Sequence, residues 1–180
     1  MIIVARYNED ISWTNEFENV LIYNKGTPLN LPNEIILPNV GREPHTYYKY
    51  IYDNYDNLDD YVVFLQGNPF DHSPNIIDNL KNLPNLNFHF LSEHILSCSL
   101  SGCIHHPGLP LIPVYRRIFN KRLIRNRFTF GAGAQFMVSK EQILKRPRDF
   151  YLNIVNMLGH SQAPIEAWVI ERFHQLIFSN

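Results

Sequence analysis

Three apolar runs, each stopped by charged or amide side chains, restrict what this chain can become. Ile2-Ile3-Val4-Ala5 leads straight into Arg6-Tyr7-Asn8-Glu9-Asp10. Val20-Leu21-Ile22-Tyr23 ends in Asn24-Lys25-Gly26. Tyr61-Val62-Val63-Phe64-Leu65 ends in Gln66-Gly67-Asn68-Pro69-Phe70-Asp71-His72. Apolar runs of strand length without alternation belong to strands covered on both faces, as in parallel sheets. In open α/β sheets, ligands bind outside the carboxyl ends of the strands. The chain thus gathers polar side chains where such a sheet would hold a ligand.

The rest of the chain alternates in the same way. Glu34-Ile35-Ile36-Leu37 is a short third strand, closed by Pro38. Asn39 to Pro44 opens a helix that runs from about His45 to Asn54, with Pro44 tolerated in its first turn. Tyr47, Tyr48, Ile51, Tyr52 and Tyr55 recur along it at helical spacing. Ser73-Pro74 reads as N-cap and first turn of a helix to Leu80, and residues 86–91 read as a strand. Residues 97–113, rich in Gly, Pro, Ser and His, read as a long irregular segment, and 115–127 as helical in part. Ala134 to Val138 is a strand, Ser139 with Gln142 is a capping box, and two helices over 147–158 and 164–177 follow. Repeated alternation of strand and helix predicts an α/β class. Without an internal repeat or a long linker, the 180 residues are expected to form one domain, 1–180.

Composition removes several function classes. A formal net charge of −1 is unlike a bulk nucleic-acid binder. No run approaches the roughly 20 apolar residues of a membrane span. The N-terminus lacks the basic-then-apolar pattern of a signal peptide. Cys98 and Cys103 read first as free thiols in a reducing cytosol, which points to a cytoplasmic protein; a disulfide across their short loop is the lesser option.

Five constellations could carry chemistry. Arg6, Asn8, Glu9 and Asp10 could meet the base, ribose or phosphate of a nucleotide, although Asp10 or Ser12 could equally cap a helix. Asn24 and Lys25 could reach the same ligand from the next strand. Gln66, Asn68, Asp71 and His72 follow the central strand, where carboxylates would hold Mg or Mn. Only Asp71 supplies one there, with His72 a nitrogen, and Asp71 also reads as a helix cap. Arg116, Arg117, Lys121, Arg122, Arg125 and Arg127 form the basic concentration of the chain, suited to a diphosphate or to a solvated face. Last, Glu166 opens a helix that also carries Trp168, Glu171, Arg172 and His174, with His160 just before it. A carboxylate in that first turn is a candidate general base, or simply an acid favoured at a helix start.

Several strings, taken in order, resemble a domain-of-unknown-function family along nearly the whole chain. They are V-A-R-Y-N-E-D (4–10), I-Y-N-K-G (22–26), N-V-G-R-E-x-H-T-Y (39–47), D-Y-V-V-F-L-Q-G (60–67), G-A-Q-F-x-V-S (133–139) and E-R-F-H-Q-L-I-F (171–178). That family is similar, more distantly, to nucleotide-sugar glycosyltransferases of the type-A fold. The resemblance implies a Rossmann-like mixed sheet flanked by helices. It implies a nucleoside diphosphate sugar as donor and a hydroxyl as acceptor. It places Ala5 to Asp10 with Asn24 and Lys25 at the nucleotide, Gln66-Gly67-Asn68 at an Asp-x-Asp metal motif, Gly131 to Gln135 at a Gly-rich strand, and Glu166 at the base. The departure is that Gln66-Gly67-Asn68 has neither aspartate. Asp71 and His72 would have to hold the ion, or cations among Lys25, Arg42, Arg116 and Arg117 would replace it. The rival reading is a nucleotide- or carbohydrate-binding protein without catalysis. A metal-dependent hydrolase using His72, His105 or His106 is a third.

Overall fold

The computed structural model describes residues 1–120 and 127–179. Four parallel strands form the left side of its main sheet: β1 (Ile2–Arg6), β2 (Val20–Asn24), β3 (Glu34–Ile36) and β4 (Tyr61–Gln66). Two more complete it, β5 (Phe88–Phe90) and β8 (Phe136–Ser139), in the order β3-β2-β1-β4-β8-β5. β8 runs antiparallel to both of its neighbours. The result is a mixed six-stranded α/β sheet of Rossmann-like type. Strand order reverses between β1 and β4, and the crevice outside their carboxyl ends is where such sheets bind ligands.

The helices are α1 (Arg42–Asp53), α2 (Ile76–Lys81), α3 (Leu111–Phe119), α4 (Lys140–Leu144), α5 (Arg148–Leu158) and α6 (Ile165–Phe178). Successive strand residues point to opposite faces, and both faces are covered. Ile3, Ala5, Val62, Phe64, Phe136 and Val138 face the aromatic layer of α1, α5 and α6. There Tyr48 stacks on Tyr151 and on Phe178 at 6.2 Å between ring centroids. Val4, Ile22, Val63, Leu65 and Met137 face Trp13, Ile76 and Leu80 on the other side. That two-sided burial is why these strands are unbroken apolar runs.

The structure corrects three expectations. Part of the segment read as irregular is a strand, β6 (Ile95–Ser99), which pairs antiparallel with β7 (Arg127–Gly131) in a separate two-stranded sheet. Its partner lies far along the chain, so no local turn signal marks the pair. Ser73 does not cap a helix: its hydroxyl donates to the Leu91 carbonyl, and α2 begins three residues later at Ile76. Cys98 and Cys103 are joined in a disulfide rather than free, because a turn bridged between Ser99 and Gly102 brings their Cα atoms to 4.7 Å. The capping residue Ser139 is where expected, accepting from the Gln142 N–H at 3.2 Å. No described helix is long and apolar enough to cross a membrane.

Candidate functional site

The polar residues after β1 and β2 hold each other. Arg6 is buried, and its Nη1 donates to Asn24 Oδ1 at 2.9 Å and to the Thr27 carbonyl at 3.1 Å, while its Nε donates to the Glu9 carbonyl at 3.0 Å. Asn24 Nδ2 donates onward to the Thr27 carbonyl at 2.7 Å and to Glu34 Oε1 at 2.6 Å. Asn8 Oδ1 accepts from the Thr27 N–H, and Glu9 Oε2 from the N–H groups of Tyr7 and Asn8. Asp10 accepts from the N–H and hydroxyl of Ser12, and those bonds hold its carboxyl below the usual range. Gly26 fits against this knot with no room for a side chain, since a Cβ there would overlap the Tyr7 carbonyl. Lys25 turns its ammonium onto the carbonyls of Val40 and Arg42. Burial pulls its pKa down to about 8, against the opposing charge of Glu43.

One strand over, the arrangement is different. A cavity of about 320 Å³ opens beside the carboxyl end of β4. Arg42 and Glu43 from the start of α1, Gln66 from β4, and His72 beyond it form one side. Ala132, Gly133 and Ala134, the turn between β7 and β8, with Trp168, Glu171 and Arg172 from α6, form the other. His105 and His106 from the segment after β6 complete the wall. Glu171 accepts from the Gly133 N–H at 3.0 Å and from Arg172 Nη1 at 2.7 Å. The Arg42 guanidinium lies 4.8 Å from the Trp168 ring centre, and His106 meets the same ring edge-on. Arg172 Nε and His72 Nδ1 are buried and have no hydrogen-bond partner.

The backbone marks the same place. Four non-glycine residues among those described have positive φ: Asn30, Arg42, Asn120 and Ala134. Asparagine tolerates that conformation; arginine and alanine adopt it at a cost of order 1–3 kcal/mol each and persist in it only where surroundings impose it. Arg42 (φ 50°) and Ala134 (φ 55°) both line this cavity. Such strain clusters at binding and catalytic sites.

The family model described as "Protein of unknown function (DUF3431)" matches residues 1–180. The chain belongs to the DUF3431 family. No curated protein and no solved structure matches it.

Of the residues singled out in this DUF3431 chain, Arg42, Gln66, His72, Trp168, Glu171 and Arg172 meet in the cavity, with His105 and His106. Asn68 instead shares a second, more open hollow with Glu9, Asp10, Trp13 and Phe70. Gln135 is buried and donates to the Pro69 carbonyl at 3.0 Å, propping the loop after β4 from beneath. Asp71 is exposed and outside the cavity lining. Glu166 also lies outside that lining, 3.4 Å from His160. Arg116 and Arg117 sit on α3, away from the cavity, and Lys121, Arg122 and Arg125 lie outside the described residues. The donor set at the end of β4 does not fit a divalent ion. Gln66 and Asn68 are neutral and point into different hollows, and no group of three or more His, Cys, Asp or Glu among the described residues is placed to hold a metal. Hard divalent ions demand carboxylate oxygens.

Sequence reasoning missed Glu43 because a glutamate beside Pro44 looks like an ordinary helix-start acid. Glu171 and Arg172 stand on the helix that Glu166 opens, one turn and more beyond the proline that marks its start.

Proposed function

We propose that this protein transfers a sugar from a nucleoside diphosphate donor to a hydroxyl acceptor in the cavity beside β4. The observation that carries the reading is that Arg42 and Ala134, held in strained left-handed backbone, line one polar cavity beside the β1/β4 reversal point. Its contents suit the chemistry. The acceptor oxygen attacks the anomeric carbon, the bond to the diphosphate breaks, and negative charge grows on the leaving group. Preorganised cations stabilise such charge most where water is excluded. Arg42 and Arg172 are the cavity's guanidinium groups, and planar guanidinium forks match phosphate oxygens. Trp168, already under Arg42, offers an apolar face for a sugar or base.

The neutral Gln66 and Asn68 favour a second reading, a binding protein that holds the nucleotide sugar without transferring it. One experiment addresses both. Purified protein is melted with uridine and guanosine diphosphates and their sugars, with and without Mn²⁺, and the same mixtures are assayed for nucleotide release. Ligand at 100 times its Kd stabilises by about 2.7 kcal/mol, which raises the melting temperature visibly. Stabilisation with turnover supports transfer, stabilisation alone supports the binding protein, and no response to any nucleotide overturns both.

A further inference from the structure

We infer that Glu43 takes the proton from the acceptor hydroxyl, while Glu171, the other carboxylate of the cavity, only positions the Gly-rich turn. The assignment rests on the transfer reading above. Glu43 and Glu171 are similarly accessible, with side chains 22% and 18% exposed, so access does not separate them. Their partners do. Glu171 has both oxygens committed, Oε1 to the Gly133 N–H and Oε2 to Arg172 Nη1 at 2.7 Å. Each of its oxygens is already turned to a donor of the protein itself. The bond from Gly133 ties α6 to the turn that carries the left-handed Gly133 and Ala134. Glu43 makes only long contacts of 3.4 Å, Oε1 with Gln66 Nε2 and Oε2 with Arg42 Nε. Each of its oxygens keeps capacity for a hydrogen from a bound hydroxyl.

Two further features place Glu43 for this work. It directly follows the strained Arg42, whose left-handed backbone sets the direction in which α1 begins. It also lies over Tyr47, a buried phenol with no partner for its hydroxyl. That phenol is pushed up by burial first, then by the negative charges of Glu43 and Glu171. Glu166, by contrast, does not line the cavity.

The acceptor O–H bond breaks and its proton passes to a Glu43 oxygen. The acceptor oxygen bonds to the anomeric carbon from the face opposite the diphosphate. The carbon–oxygen bond to the diphosphate breaks, and its electron pair leaves with the phosphate oxygen, beside Arg42 and Arg172.

The test compares wild type with Glu43→Gln, Glu171→Gln and Glu166→Gln, using UDP-glucose and GDP-mannose with water standing in for the acceptor. Donor binding is read by thermal shift, and nucleotide release is read across pH. Loss of a general base lowers turnover by roughly 10²–10⁴-fold. Glu43→Gln is expected to lose that factor, to lose the rising acid limb of the pH profile, and to keep donor binding within about threefold. Glu171→Gln is expected to lower the melting temperature and weaken donor binding, while the pH profile keeps its shape. Glu166→Gln is expected to match wild type. Wild-type donor binding and release together with an unchanged rate in Glu43→Gln overturns the assignment and leaves the transfer reading standing. Loss of the acid limb in Glu166→Gln also overturns it. A wild-type protein that binds neither donor overturns the transfer reading and this assignment with it.

Discussion

The carboxyl ends of β1 and β2 and the cavity beside β4 are built from the same kinds of side chain and are opposite in state. At β1 and β2, Arg6, Asn24 and Glu34 donate to or accept from one another and the nearby backbone. Beside β4, Arg172 Nε and His72 Nδ1 are buried without partners, and two side-chain-bearing residues sit in strained backbone. A polar cluster at a strand end can thus close on itself or stay open. The first region is a clasp; the second keeps hydrogen-bonding capacity open and holds backbone where it would not rest by itself.

The largest expected effect breaks the clasp. Arg6→Met removes a buried guanidinium and its charged bonds; Asn24 Oδ1 keeps the Gly26 N–H and the Thr27 carbonyl keeps the Asn24 amide, while the Glu9 carbonyl loses its side-chain donor. A loss of about 3 kcal/mol in unfolding free energy is expected, from the lost charged bonds and the vacated buried side chain. Urea denaturation measures it, and the midpoint moves without a change in slope. Nucleotide-sugar affinity of the folded fraction stays within about twofold. If affinity collapses while stability holds, the clasp is the binding site and the comparison is reversed.

A matched pair of glycines sharpens the other side. Gly133 and Gly108 have nearly the same left-handed φ, 84° and 85°. A Cβ at Gly108 meets nothing within 4 Å, whereas one at Gly133 falls 2.4 Å from the His72 ring. Gly108→Ala therefore carries backbone strain alone, roughly 1 kcal/mol, and Gly133→Ala carries that strain plus displacement of His72, about 2 kcal/mol in all. Only Gly133→Ala should also abolish the thermal shift by nucleotide sugar. Equal losses in both variants would show that His72 yields freely and that the turn does not shape the cavity.

Much of the fold was legible because it follows from local pattern. Tyr61 to Leu65 is apolar throughout because α1 and α6 cover one face and α2 the other, and the Tyr47, Tyr48 and Ile51 stripe marks the buried side of α1. β6 and β7 were not legible, because their pairing spans the long segment between Ser99 and Arg127 and neither strand is strongly apolar. For the cavity, the sequence places Arg42, Gln66, His72, Glu171 and Arg172 at strand ends and on the last helix, and the fold brings them together. At Arg6, Asn8, Glu9, Asp10, Asn24 and Lys25 a sequence shows that a side chain is polar, not whether its partners are already provided. The place of Glu43 and the strain at Arg42 and Ala134 depend on three-dimensional closure between α1, α6 and the β7–β8 turn, and no spacing in the chain encodes that.

The remaining effect is one of pH, and it separates the two regions by where each begins to respond. His174 is wholly buried in the helical layer, shares a 2.8 Å hydrogen bond with the Tyr48 hydroxyl, and is depressed by burial from 6.5 to about 3. His45 on α1 is depressed to about 4, by burial first and then by the charges of Lys25 and Lys49. Both fold as neutral imidazoles. Below pH 6.5 the unfolded chain takes up these protons and the folded chain does not, so stability is full above pH 6.5 and falls as the pH falls towards about 4 for His45 and about 3 for His174. His174 alone contributes a slope of up to about 1.4 kcal/mol per pH unit. The clasp is silent over most of that range. Glu34 is lowered from its ordinary 4.5 by the N–H of Leu29 and the Asn24 amide, so its contribution is present above pH 4.5 and lost only below it. Urea midpoints at pH 7, 6 and 5 should therefore fall in wild type and fall less steeply in His174→Gln. Parallel decline of the two proteins would show that His174 is protonated in the fold, and that the layer behind the cavity is wetter than its packing implies.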